Sequence, residues 1–158
     1  MTLIAPGRVR HPATWGRMTM SPCPQAYFEF GPHVGEIQLQ LHGMTIAAVL
    51  EQAGIALGEL LAPAAAAGPE KVEEVSLTAP DRSALLVEWI NELLYLADRD
   101  HWIPTHFDFH DATEHHVNAS VRGPVLAEAP TEVKAATWHG LRFDVRDGAF
   151  VAEVVLDV

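Results

Sequence analysis

The sequence is short of cysteine, of lysine and of long hydrophobic runs, and each shortage excludes a class of protein. Its one cysteine, Cys23, lies between two prolines and cannot form a disulfide within the chain. No apolar run approaches the roughly 20 residues that span a bilayer. Near the start, Pro6, Gly7 and Arg8 interrupt the apolar stretch that a secretory signal needs. We therefore expect a cytoplasmic protein without a membrane span.

Positive charge is also scarce. Ten lysines and arginines stand against 21 aspartates and glutamates, which gives a formal net charge of −11. Because nonspecific nucleic-acid binding depends on clustered basic side chains that neutralise phosphates, we expect no direct binding to RNA or DNA. An acidic surface attracts divalent cations or a basic protein partner, although solubility alone also accounts for it.

The chain has the length and composition of one soluble domain. Its 158 residues are 49% hydrophobic and 20% charged, which suits one sizeable core but not two independent ones. Alternating apolar residues indicate about seven strands, several of them joined as hairpins, and helical spacing indicates two helices. This pattern predicts an α+β layered fold with a largely antiparallel or mixed β-sheet and two packing helices.

The two helices have recognisable boundaries. Thr45 fits the N-cap of the first, and Pro63 follows its end. Asp81 can cap the second helix, which has the broader apolar stripe. The stripe consists of Leu85, Leu86, Trp89, Ile90, Leu93, Leu94 and Ala97. The polar residues assigned to the opposite face of that helix are Glu88, Asn91, Glu92, Asp98 and Arg99.

The end of the chain reads as three strands. The first covers 131–138, and a turn at 139–140 leads to the second. The Asp-Gly pair at 147–148 predicts a hairpin into the final strand.

Lysine is used only twice, at Lys71 and Lys134. Lys134 stands among small and apolar residues, and period-two geometry puts Glu132 on the same face of the predicted 131–138 strand. A lysine there can bring a compact charge on a flexible stem to a phosphate or a carboxylate. The alternative interpretation is a simple ion pair with Glu132 or another nearby acid.

Two further polar groups offer oxygen or nitrogen ligands. Asp157 and the terminal carboxylate of Val158 suit a hard cation such as Ca²⁺, Mg²⁺ or Mn²⁺, unless they are a frayed end facing water. His33 and Glu36 lie on a turn bounded by proline and glycine, where loops commonly carry chemistry. A solvated turn is the alternative there.

A histidine-rich segment is a candidate transition-metal site. Its polar residues are His106, Asp108, His110, His115 and His116. Phe107 and Phe109 alternate with the first three and are predicted to point inward, and a turn is expected near Asp111. That alternation equally fits the outward polar face of an ordinary strand.

Three segments resemble the archease family. "SALLVEWINELLYLAD" is similar to the family's second helix, "TEVKAATWHGL" to its "GTEVKAVTYHGL" strand, and "VVLDV" to its closing "VVLDI". The resemblance runs from Tyr27 to Val158 and leaves out residues 1–25, which we expect to be a flexible extension of an archease-like domain at 26–158. A translation start at Met18 or Met20 is the alternative.

The resemblance assigns candidate functional residues. Setting "HGMTI" against the family's "YGKTL" places "PHVGE" over its "DHTAD". His33 then matches the family histidine, and Glu36 takes the place of an essential aspartate. Lys134 matches the functional lysine, and Asp157 matches the aspartate near the carboxyl end. Pro32 stands where the family has its first acid, and this departure affects any cation site.

The resemblance also implies a function. Archeases are small acidic activators of the RtcB-type RNA ligase, so we expect a non-catalytic protein that promotes metal-dependent guanylylation and multiple turnover of that ligase in tRNA splicing and RNA repair. Glu36, Asp157 and Val158 would bind the divalent cation, Glu36, Lys134 and Asp157 would act on the ligase, and His33 is a possible accessory residue.

Two other functions are compatible with the residues alone. The histidine-rich segment, His106 to His116, could serve a stand-alone metal-dependent hydrolase with Glu36 as its base. A purely structural chaperone or adaptor would use the acidic surface and none of the named residues.

Overall fold

The computed structural model describes residues 26–33, 35–62, 64 and 66–158. The expected extension at 1–25, with Cys23, lies outside the described residues. Within the described part, neither helix is long and apolar enough to cross a membrane.

Nine elements follow one another along the chain. They are β1 (Tyr27–His33), β2 (Glu36–Gly43), α1 (Ile46–Leu61), β3 (Glu70–Thr78), α2 (Arg82–Asp100), β4 (His106–Ala112), β5 (His116–Pro124), β6 (Ala135–Arg146) and β7 (Ala149–Asp157). A four-stranded sheet, sheet A, has the order β1-β2-β7-β6, and a three-stranded sheet, sheet B, has the order β3-β5-β4. All the described strand pairs are antiparallel. The predicted α+β class is confirmed.

Helix α1 begins and packs as its sequence predicts. Thr45 has an extended backbone, and its side chain accepts a hydrogen bond from the Ala48 amide at 3.0 Å. Most of its apolar residues are buried, and it contacts strands of both sheets. Gly54 lies against the Phe107 ring of sheet B, so the missing side chain makes room for an aromatic one.

Helix α2 is the other half of the core. Asp81 caps it by accepting from the Ala84 amide at 2.8 Å, and the whole predicted apolar stripe is buried. The indole of Trp89 donates to the Leu50 carbonyl of α1 at 2.9 Å, so this buried polar group joins the two helices. Phe109 packs on the same indole, with ring centroids 5.5 Å apart.

Helix α2 also covers an edge of sheet A. β6 is an edge strand, and two α2 side chains bond to its backbone. Asn91 Oδ1 accepts from the Ala136 amide at 2.8 Å, and Arg82 Nε donates to the Phe143 carbonyl at 2.8 Å. The prediction that Asn91 faces away from the core was therefore wrong: its side chain is half-buried against β6.

The expected strand, turn and strand between 131 and 146 form one continuous strand that starts later. β6 begins at Ala135, so the predicted start at 131 was wrong. The predicted turn is a bulge, in which residues 138–141 of β6 stand opposite the single residue Val154 of β7. Gly140, at φ 65°, supplies the left-handed backbone there. The turn residues at 139–140 therefore predicted where the strand is distorted. They did not predict that pairing with β7 continues beyond the distortion. The turn expected near Asp111 follows Ala112, the last residue of β4.

The close approach of Gly54 and Phe107 makes the effect of Gly54→Ala testable. A Cβ at residue 54 would clash with two ring carbons of Phe107. Helix propensity favours alanine by about 1 kcal/mol, but overpacking typically costs about 1–3 kcal/mol. We expect the free energy of unfolding, measured in urea, to fall. In a Phe107→Ala background the same substitution should raise it, and a rise in both backgrounds would contradict the packing described here.

Candidate functional site

Three of the predicted site residues stand in one row across sheet A. His33 pairs with Glu36, Glu36 pairs with Asp157, and Asp157 pairs with Ala135. The row crosses all four strands at one end of the sheet. Antiparallel register therefore brings together residues that are more than a hundred positions apart in the chain.

Glu36 and Asp157 face away from the core. Directly opposite residues share a face of an antiparallel pair, with Cβ atoms about 4.5–5.5 Å apart. The next pair along, Ile37 and Leu156, faces the other way, and Leu156 is fully buried in the core. Both acids are partly exposed. The fold thus sets two carboxylates side by side on the outer face of sheet A.

Lys134 lies immediately beside this row. Its backbone amide donates to the Asp157 carbonyl at 2.8 Å, one residue before β6 begins. The prediction that Glu132 and Lys134 share a strand face was wrong, because both precede the strand. Lys134 is exposed and borders a groove between α2 and residues 129–135. Its backbone joins the row, while its side chain forms no ion pair with Glu132 or with any other acid in the described part of the chain.

The other lysine has a different setting. Lys71 Nζ lies 2.7 Å from both Glu73 and Asp100, and Arg99 contacts the same two acids. Hydrogen bonds to Asp100 and then to Glu73 raise the pKa of Lys71. Arg99, and then Lys71, hold the pKa of the Asp100 carboxyl well below its usual range. Lys71 therefore links β3 to the end of α2, which is a structural role.

The oxygen donors in this row are of the type that a hard cation prefers, but there are few of them. Glu36 and Asp157 contribute carboxylate oxygens, the ligands that Ca²⁺ and Mg²⁺ prefer. Among the described residues, no group of three or more His, Cys, Asp or Glu side chains is placed to hold a metal. Val158 follows Asp157 and is exposed. A cation here would therefore take most of its ligands from water or from a bound partner, and the metal assignment to Glu36, Asp157 and Val158 stays a prediction.

The histidines of sheet B do not converge on one point. His110 Nε2 lies 2.7 Å from Ser120 Oγ, and Ser120 donates to Glu74. His116 Nδ1 lies 3.1 Å from Asp111 Oδ2 on the neighbouring strand. These are local contacts on an exposed face. Nothing in the described structure supports a hydrolase built on residues 106–116.

Sequence reasoning missed the role of Asn91. Only a weak signal in the sequence pointed to this role. An asparagine in the middle of a helix is a poor helix former, and Asn91 lies between the buried Ile90 and the half-buried Glu92 at the margin of the apolar stripe. Its bonding partner, Ala136, lies 45 positions away. No local pattern connects the two.

Comparisons with known proteins agree on one family. A model of the Archease protein family (MTH1598/TM1083) matches residues 28–158. The protein archease of Methanosarcina mazei is 30% identical over 139 residues, which cover 83% of this chain and 95% of that protein. The protein archease of Archaeoglobus fulgidus is 28% identical over 135 residues, with 83% and 98% of the two chains covered.

Two solved structures share the fold. The solution structure of Methanobacterium thermoautotrophicum protein 1598 aligns with a TM-score of 0.62 at 26% identity, covering 83% of this chain and 98% of that one. A crystal structure from Thermotoga maritima, titled an archease and possible chaperone, aligns with a TM-score of 0.61 at 19% identity over 89% of this chain and all of that one. At that identity the second match is evidence for the fold alone.

The paired acids yield a prediction about stability. Like charges directly opposite in a sheet destabilise it, on a scale of about 0.2–1 kcal/mol for cross-strand pairs. We therefore expect Asp157→Asn to raise the free energy of unfolding by about this amount, measured in urea with a chelator present. Glu153→Gln on the same strand is the matched control, because Glu153 accepts from Gln40 at 3.3 Å and stands opposite Arg142. It should show no gain, and equal losses in both variants would contradict the prediction.

Proposed function

The chain belongs to the archease family, and on that premise we propose that it is a non-catalytic activator of an RtcB-type RNA ligase, promoting metal-dependent guanylylation and repeated turnover of that enzyme in tRNA splicing and RNA repair. The observation that carries the proposal is the row across the end of sheet A. It sets Glu36 beside Asp157 and bonds the backbone of Lys134 to the same aspartate.

Glu36 and Asp157 would supply only part of the ligand set of a divalent cation. When bound, a divalent cation neutralises negative charge on a triphosphate. Two carboxylates from this chain leave room for ligands from the nucleotide and from the ligase. Glu36 and Asp157 would therefore lie at the contact between this chain and the ligase. Glu36 is one methylene longer than the aspartate of the family motif, which extends the reach of its carboxylate.

Lys134 would act as a positive donor at the same end of the sheet. Its ammonium is a compact charge on a flexible stem, and it forms no described ion pair that would have to be broken. A positive charge placed in advance where a phosphate binds contributes to the catalysis of the ligase through positioning and electrostatics. This chain itself breaks no bond.

The charge of the whole chain favours a protein partner over RNA. A net charge of −11 speeds encounter with a basic surface and opposes contact with a phosphate backbone. The ligase would therefore hold the RNA, and this chain would contact the ligase.

Substitution of the two lysines tests the proposal. We expect Lys134→Met to abolish stimulation of ligase guanylylation, because the positive donor is lost from an exposed position without effect on the core. The assay follows transfer of labelled GMP to the ligase, with and without this chain. Lys71→Met removes the only other lysine and should leave stimulation intact, since Lys71 belongs to a structural ion-pair network. Full stimulation by the Lys134 variant would refute the assignment.

Cation binding can be tested without the ligase. A ligand that binds only the folded state stabilises it by about 1.4 kcal/mol at ten times its dissociation constant. We expect millimolar Ca²⁺ to raise the unfolding temperature of the native chain more than that of Asp157→Asn. Glu153→Gln, a matched loss of one negative charge on the same strand, should respond like the native chain. Sodium chloride at equal ionic strength controls for screening. An equal Ca²⁺ response in all three proteins would exclude a site at Asp157.

A further inference from the structure

Besides the pairing of β6 with β7, three described hydrogen bonds hold the segment that carries Lys134. The Thr131 amide donates to the Leu61 carbonyl at 3.0 Å, and the Lys134 amide donates to the Asp157 carbonyl at 2.8 Å. The Ala136 amide donates to Asn91 Oδ1 at 2.8 Å. The first two join backbone groups and survive any change of side chain. The third depends on one side chain, Asn91, two residues beyond the lysine.

The geometry explains why that side chain carries an oxygen acceptor. β6 is the edge strand of sheet A, so the Ala136 amide, which bonds away from β7, needs an acceptor from elsewhere. Asn91 supplies one from the middle of a 19-residue helix whose apolar face is buried. Because this helix is anchored in the core, it is a rigid support. The half-buried Asn91 oxygen therefore fixes the position at which β6 begins.

We propose that Asn91 is a positioning residue for Lys134: by binding the Ala136 amide it fixes the start of β6 and holds the lysine at the end of sheet A beside Asp157. The inference rests on the proposed function of Lys134. Asn91 borders the same groove as Lys134 and acts on it through the backbone.

The same helix offers a matched control. Arg82 donates to the Phe143 carbonyl, stacks over the Phe143 and Phe150 rings and pairs with Glu114. It holds the same strand to the same helix, but at a point nine residues beyond Lys134. Loss of Arg82 therefore loosens the edge of sheet A without releasing the lysine. A merely structural role of Asn91 would give the two substitutions the same consequences.

The experiment compares Asn91→Ala, Asn91→Asp and Arg82→Ala. In Asn91→Ala we expect amide exchange at Ala136 to accelerate about tenfold, as for loss of one hydrogen bond, and ligase guanylylation to lose about tenfold in stimulation. Asn91→Asp keeps an oxygen acceptor and should keep both properties. Arg82→Ala should accelerate exchange near residue 143 and leave stimulation unchanged. If Asn91→Ala folds poorly, Asn91→Ser replaces it, since its shorter side chain cannot reach the same amide.

A double substitution separates this inference from the proposed function. In a Lys134→Met background, Asn91→Ala should cause no further loss of stimulation, because the group that it positions is gone. Unchanged exchange at Ala136 in Asn91→Ala would overturn the inference, as would full stimulation by that variant while Lys134→Met is inactive. Equal losses in Asn91→Ala and Arg82→Ala would also overturn it. Full stimulation by Lys134→Met would instead refute the role of Lys134, and no stimulation by the native chain would refute the proposed function. The exchange measurement depends on neither result.

Discussion

The attachment of the start of β6 to helix α2 constrains the end of sheet A where Glu36, Asp157 and Lys134 lie. An edge strand exposes backbone groups that must find partners, and here two side chains of one helix supply them. Asn91 binds the amide of Ala136 near the start of the strand, and Arg82 binds the carbonyl of Phe143 beyond the bulge. Between these two points the strand departs from regular pairing at residues 138–141 and then resumes it. The helix is itself held by the buried core, so the position of β6, and of the lysine that precedes it, follows from hydrophobic packing.

The end of sheet A places two acids side by side. Glu36 and Asp157 stand directly opposite each other, which a sheet selected for stability alone would avoid. Lys134 lies beside them without an ion pair among the described residues, whereas Lys71 is bound to two acids. An exposed charge such as Lys134, which has no ion pair among the described residues, can contact a ligand or another protein.

The resemblance in the sequence implies that divergence from the family motif falls on the acids and not on the lysine. It sets Pro32 where the family has one acid, and Glu36, with a longer side chain, where the family has another. The described structure provides two carboxylates at the row and no third metal-binding side chain with them. A cation bound between two proteins needs only part of its ligands from each, so a reduced set of acids is compatible with the proposed role. The formal net charge of the whole chain, −11, favours encounter with a basic partner.

Local pattern by itself determined much of this protein. Thr45 and Asp81 were predictable as N-caps, and the stripe from Leu85 to Ala97 was predictable as core, because helical and strand periodicity are properties of neighbouring residues. Family motifs in the sequence singled out Glu36, Lys134 and Asp157 as candidates, whose roles stay predictions. Only the tertiary structure decided that Glu36 and Asp157 share a row, that β6 begins after Lys134 and continues through its bulge, and that Asn91 turns toward Ala136. Strand order, register and edge pairing depend on partners far away in the chain, and the residues next to a position in the sequence do not indicate those partners.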